Sequence, residues 1–188
     1  MKKVIVTLLL CLCCAVMAVA QSVQISAGYM YQATQTLGGG NQICFNGGRA
    51  DVAFGLPRHF AMVGELTGTR SDMGSATYDM TLLTIMAGPR FQMPIKNSKG
   101  KPGRVSPFAQ FLVGDARGSN GAFPKNGTLV PSAESLALSG GGGIDFAMAH
   151  HTTWRLLQVD YLNTQLPNLY ATHQNYYRIG TSLVIHLR

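Results

Sequence analysis

The chain has 188 residues, a formal net charge of +7 and 12% charged side chains, where a soluble domain carries about a quarter. Something other than a charged surface must keep such a chain in its environment, and no basic run is dense enough to suggest nucleic acid. After the first twenty residues no segment holds ~18 consecutive apolar residues, which excludes spanning by a helix.

Residues 1–20 read as a signal peptide that is removed on export. Lys2 and Lys3 open it, an uncharged apolar run covers Val4 to Ala20, and Ala18-Val19-Ala20 supplies the small-x-small pattern before Gln21. A membrane anchor would be longer and would end in a basic stop-transfer cluster. A lipid-carrying cysteine at Cys11, Cys13 or Cys14 would need small residues before it, and Cys11 follows three leucines. Cleavage lowers the formal charge from +7 to +5 and leaves Cys44 as the one remaining cysteine, so no intramolecular disulfide is expected. An exported domain without that staple needs another source of stability, and burial in a membrane is one.

Residues 21–188 then repeat one motif, the period-two alternation of a strand with one apolar face. Val23, Ile25, Ala27, Tyr29 and Tyr31 oppose Gln24, Ser26, Gly28 and Gln32. Ala50, Val52, Phe54 and Leu56 alternate with Arg49, Asp51, Ala53 and Gly55, and Phe60, Met62, Gly64 and Leu66 with Ala61, Val63, Glu65 and Thr67. Leu83, Ile85, Ala87, Pro89, Phe91 and Met93 alternate with Thr84, Met86, Gly88, Arg90 and Gln92. Val105 to Ala116 is apolar on both faces in places.

The run of four glycines, Gly140 to Gly143, lies in the next segment. Leu136, Leu138, Gly140, Gly142, Ile144, Phe146 and Met148 take one side, and Ser135, Ala137, Ser139, Gly141, Gly143, Asp145 and Ala147 the other. A phosphate-binding loop would lead into a helical period and, in the common nucleotide type, a Gly-Lys-Ser/Thr sequence. Neither follows, so these are strand glycines that permit a bend or a close approach of backbones. From Trp154 to Thr164, Leu157, Val159 and Tyr161 oppose Gln158 and Asp160, with Arg155 out of phase. The last segment sets Tyr177, Ile179, Thr181, Leu183, Ile185 and Leu187 against Arg178, Gly180, Ser182, Val184, His186 and Arg188.

Eight strands result, joined by tight turns near residues 58 and 151, a medium one over 96–104, and longer loops, the longest over 117–134. Shorter turns on one side and long loops on the other match a barrel with both termini on its short-turn face. The expected fold is therefore all-β, an eight-stranded antiparallel up-and-down transmembrane barrel, because only a closed sheet satisfies its backbone in lipid. Its inward polar set is Arg49, Asp51, Glu65, Arg90, Asp145, Gln158, Asp160 and Arg178, three cations against four anions. Buried charges persist when paired, so an arginine–carboxylate network that plugs the barrel is expected.

The stretches "AGPRFQ", "VSPFAQFLVGDAR", "GGGIDF", "WRLLQVDYLNTQL" and "NYYRIGTSLVIHL" resemble the small OmpA-like outer-membrane β-barrel proteins of Gram-negative bacteria. The resemblance covers nearly the whole of residues 21–188 and bears on architecture more than on activity. It implies residence in the outer membrane among outer-membrane lipids and lipopolysaccharide, without a peptidoglycan-binding domain. It also implies an assembly signal for the barrel assembly machinery in the last strand, matched by Arg178, Gly180, Leu183 and Ile185. Such barrels usually finish on an aromatic residue, whereas this chain finishes His186-Leu187-Arg188.

No catalytic set, cofactor site or metal site is expected. His150 and His151 fall in a tight turn without a serine neighbour, and two adjacent ligands are a weak metal signal. His173 has no marked serine partner for a triad, and Cys44 reads as an unreactive thiol. Asn126-Gly127-Thr128 fits a glycosylation triplet of little weight here. Lys96, Lys99, Lys101 and Arg104 read as a solvated turn able to touch phospholipid headgroups. Tyr29, Tyr31, Trp154, Tyr161, Tyr176 and Tyr177 suit interfacial belts. The expectation is a monomeric, non-enzymatic outer-membrane protein with a structural or surface-interaction role, its external partner unknown. A narrow pore, an outer-membrane lipid-modifying enzyme and a soluble periplasmic ligand-binding barrel are the alternatives.

Overall fold

In a computed structural model that describes residues 22–34, 43–71, 80–95, 103–125, 128–166 and 173–187, eight strands pair in chain order and close on themselves. They are β1 (Ser22–Thr34), β2 (Cys44–Gly55), β3 (Phe60–Ser71), β4 (Thr81–Gln92), β5 (Val105–Lys125), β6 (Thr128–Ala149), β7 (Thr152–Thr164) and β8 (Gln174–Leu187). All neighbours are antiparallel, and β1 seals the barrel against β8 from Val23 opposite Leu187 to Thr34 opposite Tyr176. No edge strand is left over, so the barrel wall pairs its backbone groups internally.

Period two converts directly into sidedness. Odd positions of β4 such as Ile85 face outward and are 61% exposed, while Arg90 on the other face is 1% exposed. The outside carries Ile25, Leu66, Phe111, Val113, Val159, Ile179 and Leu183, the reverse of a water-soluble domain.

Both described termini, Ser22 and Leu187, lie at the end where the short connections fall. Arg58 and His59 both take positive φ, 63° and 67°, the geometry of a tight hairpin whose twist matches its strands. At the opposite, loop end the lumen is filled by apolar side chains that include Phe45, Leu82, Ala116, Phe123, Leu162, Leu166 and Tyr176, all of them buried. Phe45 and Tyr176 meet edge to face at 6.0 Å.

Three features depart from expectation. The 117–134 segment is not a loop: β5 runs on to Lys125 and β6 begins at Thr128, with Arg117 opposite Glu134 and Phe123 opposite Val130. The turn-like residues there form an irregularity between Ser119 and Phe123, with Asn120 at φ 58°. This shift lets the Phe123 ring fold onto Gly118, where an added Cβ would strike the ring. Second, Tyr176 points into the lumen and donates its hydroxyl proton to Gln174, so it is no part of an exterior belt.

The third is the phase of β7. Arg155 and Gln158 pair with Ser182 and Gly180, so Leu156 and Leu157 together oppose Thr181. Both leucines face outward, 39% and 44% exposed. This β-bulge resets the alternation: Thr153 and Arg155 before it and Gln158, Asp160 and Leu162 after it all point inward. The Thr181 hydroxyl ties β8 to the residues just before the bulge, donating to the Arg155 carbonyl (2.9 Å) and accepting from the Trp154 indole N–H (2.9 Å).

Candidate functional site

Below the apolar cluster, toward the short turns, the lumen holds a continuous ionic network. The structure brings together all eight polar residues expected inside, each less than 5% exposed. Arg49 donates to Glu65 and, at 3.4 Å, to Asp160. Arg178 spans the same two carboxylates at 3.3 Å and 3.6 Å and donates to Ser139 Oγ at 2.7 Å. Two arginines and two carboxylates thus share one square. Gln158 closes it from β7, its amide donating to both Asp160 oxygens at 3.1 Å and 2.8 Å.

Asp51 is the second node. Arg90 reaches its Oδ1 at 3.3 Å with both terminal nitrogens, and Arg155 reaches Oδ2 at 3.1 Å. Ser26 donates to the same Oδ2. Arg155 also forms a two-pronged pair with Asp145, Nε to Oδ1 at 2.8 Å and Nη2 to Oδ2 at 3.3 Å, the geometry in which a guanidinium binds a carboxylate best.

Two members were not expected. Arg155, fully buried, was out of phase in the sequence because the bulge lies just after it. Counting it, four arginines (49, 90, 155 and 178) balance four carboxylates (51, 65, 145 and 160) in the lumen, which is formally neutral among the described residues. Gln110 sits in the segment that reads as apolar on both faces. Its Oε1 accepts from Arg90 Nε (3.0 Å) and Nη2 (2.8 Å), and its amide donates to Glu65 and Asp160, both at 3.4 Å. The signal that marks it is the inward series Phe108, Gln110, Leu112, once period two is traced through the apolar background.

Phe108 also explains the glycine run. Its ring lies between two guanidinium groups, Arg90 at 4.9 Å and Arg155 at 4.5 Å from the centroid, a cation–π arrangement. A Cβ on Gly143 would come within 2.8 Å of that ring, and one on Gly141 would strike the Asp160 carboxylate. The inward glycines form a notch in the wall that seats an aromatic ring and a carboxylate.

The other residues singled out are dispersed. Arg178 and Gly180 of the assembly signal face the lumen, while Leu183 and Ile185 face outward. The rings of His150 and His151 meet at a tilt, 4.8 Å between centroids, in the β6–β7 turn, and no metal-binding cluster occurs among the described residues. Cys44 is exposed at the start of β2, its sulfur accepting from the Tyr31 hydroxyl at 2.9 Å. Tyr29, Tyr31, Trp154, Tyr161 and Tyr177 face outward. His173 and Arg104 are exposed. The leader, Lys96, Lys99, Lys101, Asn126 and Gly127 lie outside the described residues.

No protein-family model and no curated protein sequence matches the chain. Solved structures do. Neisserial surface protein A superposes with a TM-score of 0.63 at 12% identity, covering 87% of this chain and 96% of that one. Ail, the attachment invasion locus protein of Yersinia pestis, gives 0.54 at 16% identity, over 88% and 98%. The outer membrane protein OprG from Pseudomonas aeruginosa gives 0.52 at 11%, over 90% and 97%. With strand number, closure and sidedness in agreement, the chain has the fold of the small eight-stranded outer-membrane barrels.

Proposed function

We propose that this is an integral outer-membrane protein with a closed lumen and no enzymatic role, acting structurally or as a surface that meets other molecules at its loop end. The observation that carries this is the inverted sidedness: charges are paired with one another inside, and apolar side chains cover the outside. A soluble periplasmic barrel would need the reverse. Residues 1–20 are then the export leader, and Arg178, Gly180, Leu183 and Ile185 the signal for the assembly machinery. Outer-membrane lipids and lipopolysaccharide surround the monomeric barrel. The β5–β6 hairpin, which pairs beyond the ends of β4 and β7, is the element offered outward.

The experiment is gel mobility of the protein from an outer-membrane fraction, with and without boiling. A heat-dependent shift in that fraction is expected. A soluble protein that does not shift overturns the reading. Lipid A mass spectrometry with and without the gene tests the non-enzymatic part, for which unchanged lipid A is expected.

A further inference from the structure

The opposite end of the barrel has its own surface. Where the short turns meet, two adjoining cavities of about 360 and 480 Å³ open, sharing Ser22, Gln92, Ser106 and His186 in their walls. Both fall in the size range of ligand clefts, roughly 300–1,000 Å³. The linings mix apolar side chains such as Leu187, Leu56 and Phe60 with hydrogen-bonding ones: His186 Nε2 meets Thr153 Oγ1 at 2.8 Å, and the Gln92 amide donates to Asp145 at 3.3 Å.

The unpaired charge at this mouth is positive among the described residues. Among the described residues Arg58 and Arg104 are the full charges of the short-turn rim. The carboxylate in the cavity wall is Asp145, already held by both prongs of Arg155. The lumen above is neutral. At the loop end Arg70, Arg117 and Lys125 stand against Asp115 and Glu134, with Arg117 and Glu134 paired at 3.5 Å. Of the described residues' surplus of three positive charges, Lys125 lies at the hairpin tip and the other two, Arg58 and Arg104, at the short-turn mouth, where a concave site with a positive rim concentrates negative charge.

We infer that this mouth is a docking site for an acidic, extended peptide segment of a partner on the short-turn side of the membrane. Carboxylates would meet Arg58 and Arg104 at the rim, and the Ser22, Ser106, Gln92 and Thr153 side chains would bond the peptide backbone within. The site lies at the other end from the surface proposed above and stands whether or not that surface has a partner.

The test is binding of a fluorescent glutamate-rich peptide, against a lysine-rich control, to the folded full-length barrel in detergent. Expected are saturable binding of the acidic peptide alone, about tenfold weaker at high salt, and at least a tenfold loss in the R58D/R104E variant. Asp is chosen at 58 because it tolerates positive φ, and the boiling shift reports that the variant has folded. If the double variant fails to fold, R104E alone is read, with a loss of at least about threefold expected. Equal binding of both peptides, no binding, or binding indifferent to the folded variant overturns the inference. So does complete displacement of the acidic peptide by short-chain phosphatidylglycerol dissolved in the same detergent, which would assign the mouth to lipid headgroups.

Discussion

Arg155 shows what a single residue contributes to this lumen. It joins Asp51 to Asp145 and stacks on Phe108, so removing it leaves two buried carboxylates short of a cation and a ring short of one guanidinium. Breaking a buried pair by deleting one partner costs about 3–5 kcal/mol, most of it the stranded charge. Arg155→Ala should therefore lower unfolding stability in detergent by about that amount, measured by denaturant titration of the heat-shifted species. Arg155→Ala with Asp145→Ala should recover part of the loss, and a single variant as stable as the parent would remove the network from the stability of the fold. The eight inward residues were legible because each falls on the polar side of a period-two alternation whose other side is apolar. Arg155 was legible only as an anomaly. Its side is set by an extra residue two positions on, and an insertion that resets phase leaves no mark of its own in a run as apolar as Leu156-Leu157.

At the scale of elements, strand number and order follow from period two, since each slip of one residue would turn an apolar face into the lumen. Strand length did not follow in β5 and β6. Gly118, Ser119, Asn120 and Gly121 are turn-forming types, yet pairing resumes beyond them because Phe123 has a place to go, against Gly118 and the apolar cluster. Local chemistry marks where a chain is able to turn; a contact made by a residue beyond the turn-forming ones decides whether it does. Tyr176 was misplaced for a related reason, since an aromatic residue one position before Tyr177 fits either an interface or the lumen until Phe45 is known to lie opposite. The β7 bulge offers a sharper test of element geometry. Thr181→Val keeps shape and removes the two hydrogen bonds that join the bulge to β8. Each such bond is worth about 0.5–1.5 kcal/mol net, and the Trp154 indole loses its acceptor on the apolar face. A loss of about 1–3 kcal/mol is expected by denaturant titration, with the boiling shift retained. No change in stability would mean the bulge is held by the lumen side alone, through Arg155.

For the whole molecule, the lumen has two barriers in series. Toward the loop end an ion would meet Leu112, Leu162, Leu166 and the Phe45–Tyr176 pair, all buried and offering it no charge. Entering such a layer costs several kcal/mol per ion even after relaxation. Toward the short turns it would meet four arginines and four carboxylates already engaged with one another, so passage there requires breaking pairs that span six of the eight strands. The protein reconstituted in a planar bilayer is therefore expected to show no unitary current steps. Because the barriers act in sequence, opening one does not open the path. Phe45→Ala with Tyr176→Ala thins the apolar layer and should remain silent, and Arg90→Ala alone should remain silent while losing stability. Small steps are expected only when the three substitutions are combined, in a variant that still shifts on boiling. Steps from the parent, or from the apolar pair alone, would show that the ionic network is permeable as it stands, and the barrel would then be read as a narrow pore.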